Sequence, residues 1–398
     1  MDRPHAGPSE IARTFLKIGA MSYGGPAIMG IMQAEIQEKR QWIDKTRFVE
    51  GLALVNMLPG PGATQLGIFI GHAMAGTVGG ILAGVCFIAP AFFIMLALAF
   101  AYETWGALPA IRSAFYGIGP VVLGVFALAV YRLGRNAVRD KSQIAIAVAA
   151  ATAMVVSPLG IIMTLMLAGC AGIAFYDSRR DALVAAAIVL VGIAIAWGFD
   201  AAQVFAGIAS PDTGRSRAGL ADVGVFFFKV GAFTFGGGLS MLAFIEDQVV
   251  NQLGWLTHRE FVDGLALGQL TPGPILMLAA FVGFKLHGVS GAAIAAGAIF
   301  LPSFLMMLTV LPLLRRMNEL RWLRAFMRGV GPAVIGTLAV SLAEMAPHAA
   351  PDWPAWFLLG GTVVLLHWRS IGPLPMMIGG GAIGLALKGG PLDRLREL

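Results

Sequence analysis

The sequence predicts an all-α polytopic membrane protein made of two inverted-topology repeats. Each repeat should carry two broken, re-entrant helical hairpins plus transmembrane spans. Three observations lead there. The 398 residues are 58% hydrophobic and 13% charged, against about 25% charged in a soluble chain, and apolar runs near the length of a membrane helix recur throughout. The second half of the chain repeats the first. Two segments in each repeat break on Gly and Pro inside otherwise apolar sequence.

Composition also excludes. Mean hydropathy is +0.79. The net charge of +6 sits mostly in short loops, where it reads as membrane topology rather than as a nucleic-acid surface. Residues 1–10, MDRPHAGPSE, lack an apolar core, so no cleavable signal peptide is expected. Cys86 and Cys170 lie in apolar runs without metal-like spacing and read as packing residues. No cofactor or metal is implied. The H-E-x-x-H, Asp-rich and Walker patterns are missing from the sequence, which argues against an enzyme.

The duplication is explicit. FLKIGAMSYGGP (15–26) matches FFKVGAFTFGGG (227–238), and FVEGLALVNMLPGP (48–61) matches FVDGLALGQLTPGP (261–274). Lys17 meets Lys229, Glu50 meets Asp263, Asn56 meets Gln269, and Pro90 meets Pro302. Gly117, Gly119, Pro120 and Gly124 meet Gly329, Gly331, Pro332 and Gly336. The offset stays at 212 or 213. The first repeat with an extra linking span covers 11–200, a linker covers 201–221, and the second repeat covers 222–390.

In chain order, residues 9–42 break at Gly24-Gly25-Pro26 and residues 46–76 at Pro59-Gly60-Pro61. Each flank holds about 12–15 residues, roughly 18–22 Å of helix, too short for ~30 Å of hydrocarbon. Apolar spans follow at 77–102, 112–133, 143–156, 158–176 and 183–200. The second repeat breaks in the same places and then gives 288–314, 323–345, 354–367 and 371–388. Only 183–200 has no partner, which makes the first repeat odd in span number.

Charge sets the orientation. Loop 132–141 carries Arg132, Arg135, Arg139 and Lys141, whereas its counterpart 346–353 has no Lys or Arg. Conversely, 315–328 carries five arginines and its counterpart 103–112 only Arg112. Under the positive-inside rule the repeats are inverted. With all four broken segments as hairpins, the N-terminus, Lys39–Arg47, Arg179, Arg180 and Arg369 lie in the cytoplasm and Glu246-Asp247 outside. Arg215, Arg217, Lys388, Arg394 and Arg396 run against this scheme.

Inverted repeats with discontinuous helices are the build of secondary transporters, which hold substrate near the midplane. Broken backbone at membrane depth is tolerated only where protein or a hydrated cavity satisfies it. Pro26, Pro61 and Pro274 each follow a glycine and start a returning helix, so helix N-termini point at the hairpin tips. Such ends bind oxyanions, and four would supply on the order of two positive charges. The plainer reading is a set of structural kinks. The candidate binding residues are Ser22, Gly24, Gly25, Pro26, Asn56, Pro59, Gly60 and Pro61. In the second repeat they are Thr234, Gly236, Gly237, Gln269, Pro272, Gly273 and Pro274. Thr64 and Gln65 follow the first Pro-Gly-Pro. Lys17 and Lys229 either attract the anion or snorkel to the interface. Glu50 and Asp263 are helix N-terminal charges or proton-coupling groups.

These residues carry a family resemblance. FLKIGAMSYGGP, LPGPGATQLGIFIG and the Gly-rich segment ending at Pro90, with their second-half echoes, resemble the chromate ion transporter family in its long-chain, two-repeat form. The resemblance covers nearly the whole chain. It implies export of chromate across the bacterial inner (plasma) membrane, driven by the proton-motive force, and chromate resistance. Sulfate, a near-isostere, is the alternative cargo, and a passive channel the alternative mechanism. Gly238 stands where the first repeat has Pro26, so the four helix ends need not be equivalent. A homodimer stays open from the sequence.

Overall fold

The structure is a computed structural model of the chain. It describes residues 6–22, 25–106, 108–138, 140–156, 161–178, 180, 218–233, 239–310, 321–368 and 372–388. The extra span 183–200, nearly all of the linker, and Gly24, Thr234, Gly236 and Gly237 lie outside the described residues.

Every regular element among the described residues is helical. A chain this apolar must close its backbone hydrogen bonds within each segment. The first repeat has α1 (Pro8–Met21), α2 (Gly25–Met32) running into a π turn (Gln33–Lys39), and α3 (Lys45–Met57). It continues with α4 (Gly62–Trp105), α5 (Pro109–Ala137), α6 (Lys141–Val156) and α7 (Ile161–Tyr176). The second has α8 (Leu220–Ala232), α9 (Leu239–Glu246) with its π turn (Asp247–Gln252), and α10 (His258–Leu270). A 3-10 turn (Ile275–Met277) leads into α11 (Leu278–Val310), then α12 (Arg321–Ala349), α13 (Trp353–Trp368) and α14 (Pro373–Lys388).

Four of these helices are long and apolar enough to cross a membrane: α4, α5, α11 and α12. At 44 residues, α4 would run about 66 Å if straight, twice a bilayer core. It is two helices joined at Ala75-Gly76, where φ is −139° and then 63°. The same joint recurs at His287-Gly288 in α11. The expected boundary between broken segment and span, residues 76 and 77, falls on this joint. The legs before it are short. With 14 residues in α1 and 13 in α3, each reaches about 20 Å.

Matched sequence makes matched contacts. α1 packs on α4 as α8 packs on α11, while α4 meets α11 and α5 meets α12 across the repeats. The last two helices of each repeat are exchanged: α6 and α7 pack on α12, and α13 and α14 on α5. Gly117 lies so close to Gly380 and Gly384 that a Cβ there would strike their backbone, and Gly329 meets Ala168 and Gly172 in the same way. Adding 212 to one set gives the other. The polar clasp behaves likewise. Asp140 accepts from the Tyr176 hydroxyl (2.7 Å) and Arg328 lies 5.4 Å from that ring. At the matched positions Asp352 accepts from Tyr116 (2.5 Å) and Lys388 lies 5.0 Å from its ring. Ring and cation have traded places. Contacts that survive exchange of the repeats are what an approximate two-fold produces.

The interior is one large apolar cluster shared by both repeats and a second, mostly first-repeat cluster around Phe15, Phe48, Leu66 and Phe87. Outside, Phe93, Phe357 and Trp368 are 65%, 74% and 82% exposed. So much apolar surface demands lipid rather than water.

Candidate functional site

The first Pro-Gly-Pro ends α3 and starts α4. Leu58 leaves the helix with φ −93° and ψ 143°, and Gly60 turns with φ 133°. That backbone conformation is open to glycine and strained for other residues. Pro61 then caps α4, its carbonyl accepting from Gln65 N–H at 3.0 Å. Gln65 also folds its side chain back, donating Nε2 to the Pro59 carbonyl at 2.6 Å. What remains at this tip is polar and buried. Thr64, Gln65 and Ser303 are each 0% exposed. Thr64 Oγ1, Gln65 Oε1 and Ser303 Oγ have no hydrogen-bond partner among the described residues. Ser303 comes from α11, and a side chain on Gly60 would press against Gln65 and Ser303 Oγ.

Unpaired polar atoms in the interior cost about 1–3 kcal/mol each, so such a group needs an explanation. Two hydroxyls beside the first N–H groups of a long helix are donors of the kind that can hold an oxyanion. Gln65 Oε1 is an acceptor and suits a water or a protonated ligand oxygen.

The second tip has the same backbone and other surroundings. Gly273 has φ 103°, and its N–H donates to the Ser22 carbonyl at 2.6 Å. Ser22 is buried, with its hydroxyl donating to Ile18 at 2.5 Å. The tip of the second repeat therefore docks on the first break of the first repeat. The positions matched to Thr64, Gln65 and Ser303 are Met277, Leu278 and Ala91, all buried and apolar.

The remaining candidates scatter. Gly25 and Pro26 begin α2, Asn56 lies in α3, and Gln269 lies in α10 before Pro272. Lys17 is half exposed and sits 3.8 Å from Glu35, which also pairs with Lys39 and Arg40. Lys229 lies in the last turn of α8. Glu50 is exposed on α3. Asp263 is buried, accepts from the Tyr102 hydroxyl at 2.7 Å, and lines a cleft of about 400 Å³ with Glu103, Arg112, Arg259, Glu260 and Lys285. The expectation that Glu50 and Asp263 are helix N-terminal charges needs correction. α3 starts at Lys45 and α10 at His258, so both acids lie beyond the first turn, where the dipole effect has faded. Glu260 holds that place in α10, closing a capping box with Thr257.

Sequence reasoning missed Ser303, Tyr102 and Lys285. Lys285 bridges Glu103 of one repeat and Glu260 of the other, the latter at 3.4 Å. Ser303 left a usable signal: it is the polar residue after Pro302 where the first repeat has Ala91 after Pro90. Among the described residues no group of three or more His, Cys, Asp and Glu could hold a metal ion.

Duplicated halves, broken helices and a buried polar site at their junction define a two-repeat helical membrane transporter. The comparisons give the particular family. The family model described as chromate transporter matches residues 9–173 and again 221–385, and the chain belongs to that family. It is 32% identical over 376 residues to the chromate transport protein of Cupriavidus metallidurans strain CH34, covering 94% of this chain and 91% of that one. It is 30% identical over 381 residues to a probable chromate transport protein of Synechococcus elongatus, covering 92% and 91%. An uncharacterized transporter of Bacillus subtilis is 28% identical over 131 residues, covering 33% of this chain and 66% of its own, so it is about half as long. No solved structure matches the chain.

Proposed function

We propose that the protein is a secondary active transporter that exports chromate across the bacterial inner membrane and so confers chromate resistance. The observation that carries the reading is the buried donor set at the Gly60 tip, Thr64 and Ser303 beside the N-terminus of α4, in a chain of this family. Chromate is a tetrahedral dianion, the shape and charge that helix N-termini and hydroxyl donors accept.

The repeats are inverted in the membrane, with the axis of their two-fold in its plane. Matched positions with opposite charge support this, Arg132 against Glu344 among them, because positive charge marks the cytoplasmic side. The short legs α1, α3, α8 and α10 enter and return as hairpins, and the N-terminus is cytoplasmic. The asymmetry of the tips supports a reading in which the anion sits at the Gly60 tip and the second tip is the latch that holds Ser22.

Flux into proteoliposomes tests this. Saturable movement of labelled chromate, competed weakly by sulfate, is the expected result. A protein that moves sulfate and not chromate would overturn the cargo, and one that moves and binds neither would overturn the oxyanion site.

A further inference from the structure

A second buried polar cluster lies in the second repeat, away from both tips. Glu246 closes α9 with its side chain 0% exposed. Neither carboxylate oxygen has a hydrogen-bond partner among the described residues. His258 Nδ1, at the start of α10, stands 3.5 Å from Glu246 Oε1 and likewise lacks a hydrogen bond. The His258 ring stacks on that of His348 at 4.0 Å between centroids. The other charges acting on Glu246 are Asp247 on the π turn and Glu344 on α12, with Ser341 of α12 also facing it. α8 brings Asp222, tied to the Gly219 N–H at 2.8 Å, and Lys229, neither of which acts on Glu246. The Ile275–Met277 turn brings no titratable group. Among the described residues no lysine or arginine pairs with Glu246, Asp247 or Glu344.

An ionised carboxylate removed from water costs several kcal/mol unless a cation is paired with it. Three acids together, without such a cation, raise that cost. Glu246 therefore keeps a proton, and the free nitrogen of His258 is the nearest place for that proton to go. The first repeat is built otherwise. Gln33, Lys45, Arg132 and Asn136 occupy the positions of Glu246, His258, Glu344 and His348. None of these four is a carboxylic acid or an imidazole.

The cluster also has a mechanical connection. α9 runs from Leu239 to Glu246, and it touches the turn that follows the second Pro-Gly-Pro. We propose that Glu246, with His258, His348 and Glu344, binds the proton exchanged during the transport cycle, a role that rests on the transporter reading above. In the step, the Glu246 O–H bond breaks and an N–H bond forms on His258, which passes its proton onward to water.

Glu246→Gln tests this, and glutamine is the residue the first repeat carries there. In proteoliposomes, pH-gradient-driven chromate accumulation should fall about tenfold or more, while chromate-for-chromate exchange falls less than about threefold, as for loss of a buried coupling acid. His258→Asn should shift the pH profile of accumulation. Accumulation with the wild-type pH profile in both variants would overturn the proposal. Infrared titration of the purified protein gives an arm independent of cargo. A protonated-carboxyl band at neutral pH that vanishes in Glu246→Gln is expected, and an unchanged spectrum would overturn the site. If the wild-type protein moves no chromate, the transporter reading falls and the infrared arm still decides the proton site.

Discussion

The two Pro-Gly-Pro tips have nearly the same backbone and opposite surroundings. Gly60 and Gly273 both turn with positive φ, 133° and 103°, after helices of 13 residues each. Around Gly60 stand Thr64, Gln65 and Ser303 with unpaired polar atoms. Around Gly273 stand Met277, Leu278 and Ala91, and its N–H is already bonded to Ser22. Duplication kept the geometry that a broken helix demands and let the chemistry diverge. One tip keeps unpaired polar atoms; the other closes a contact between the repeats. The proton cluster shows the same divergence in reverse, with its titratable groups in the second repeat.

Breaking the backbone should have the largest effect. Gly60→Leu forces a strained φ and a collision with Gln65 and Ser303, and chromate flux should drop by about 100-fold or more while membrane insertion, read by fractionation, is unchanged. Wild-type flux would remove the tip from the mechanism. Next come the side chains that distinguish the tips. Ser303→Ala with Thr64→Val removes two hydrogen bonds to a charged ligand, each about 1.5–3 kcal/mol. Chromate binding measured by calorimetry should weaken by more than about tenfold. Met277→Thr with Ala91→Ser, the two changes around the Gly273 tip, should change binding by less than about twofold. Equal effects at both tips would erase the comparison.

The symmetric part of the molecule should respond symmetrically. Gly117→Val and Gly329→Val each press a side chain on the exchanged helix, and each should cost about 1–3 kcal/mol, read as similar losses of thermal stability in detergent. A loss at one position alone would break the two-fold. Lys17→Gln should matter least. Lys17 is half exposed and its partner Glu35 keeps Lys39 and Arg40, so binding and expression should shift by less than about threefold, as for a surface ion pair. A large loss of affinity would return Lys17 to the anion path.

Much of the architecture was readable in the chain. Gly76 and Gly288 mark the joints in α4 and α11, and repeated glycines such as Gly117 and Gly329 mark close approaches, because only a residue without a Cβ fits there. The site was half readable. Gly60, Pro61 and Gly273 follow from local backbone chemistry. Ser303 meets Gly60, and Lys285 meets Glu103 182 residues away, across the two repeats. No local period or motif carries such a pairing. Glu50 and Asp263 show the same limit: equal in the alignment, one faces out and the other is buried under Tyr102.

The sequence by itself determined that the chain lives in lipid, that it is duplicated, and that its helices break where they do. Hydropathy, repetition and the φ limits of Gly and Pro are local properties, written residue by residue. Only the tertiary structure decided which break meets which, that Gly273 is tied to Ser22 while the Gly60 tip keeps unpaired donors, and that Glu246 is buried without a cation. Those facts depend on which helices the two-fold brings side by side, and burial and unpaired charge exist only once that packing is made.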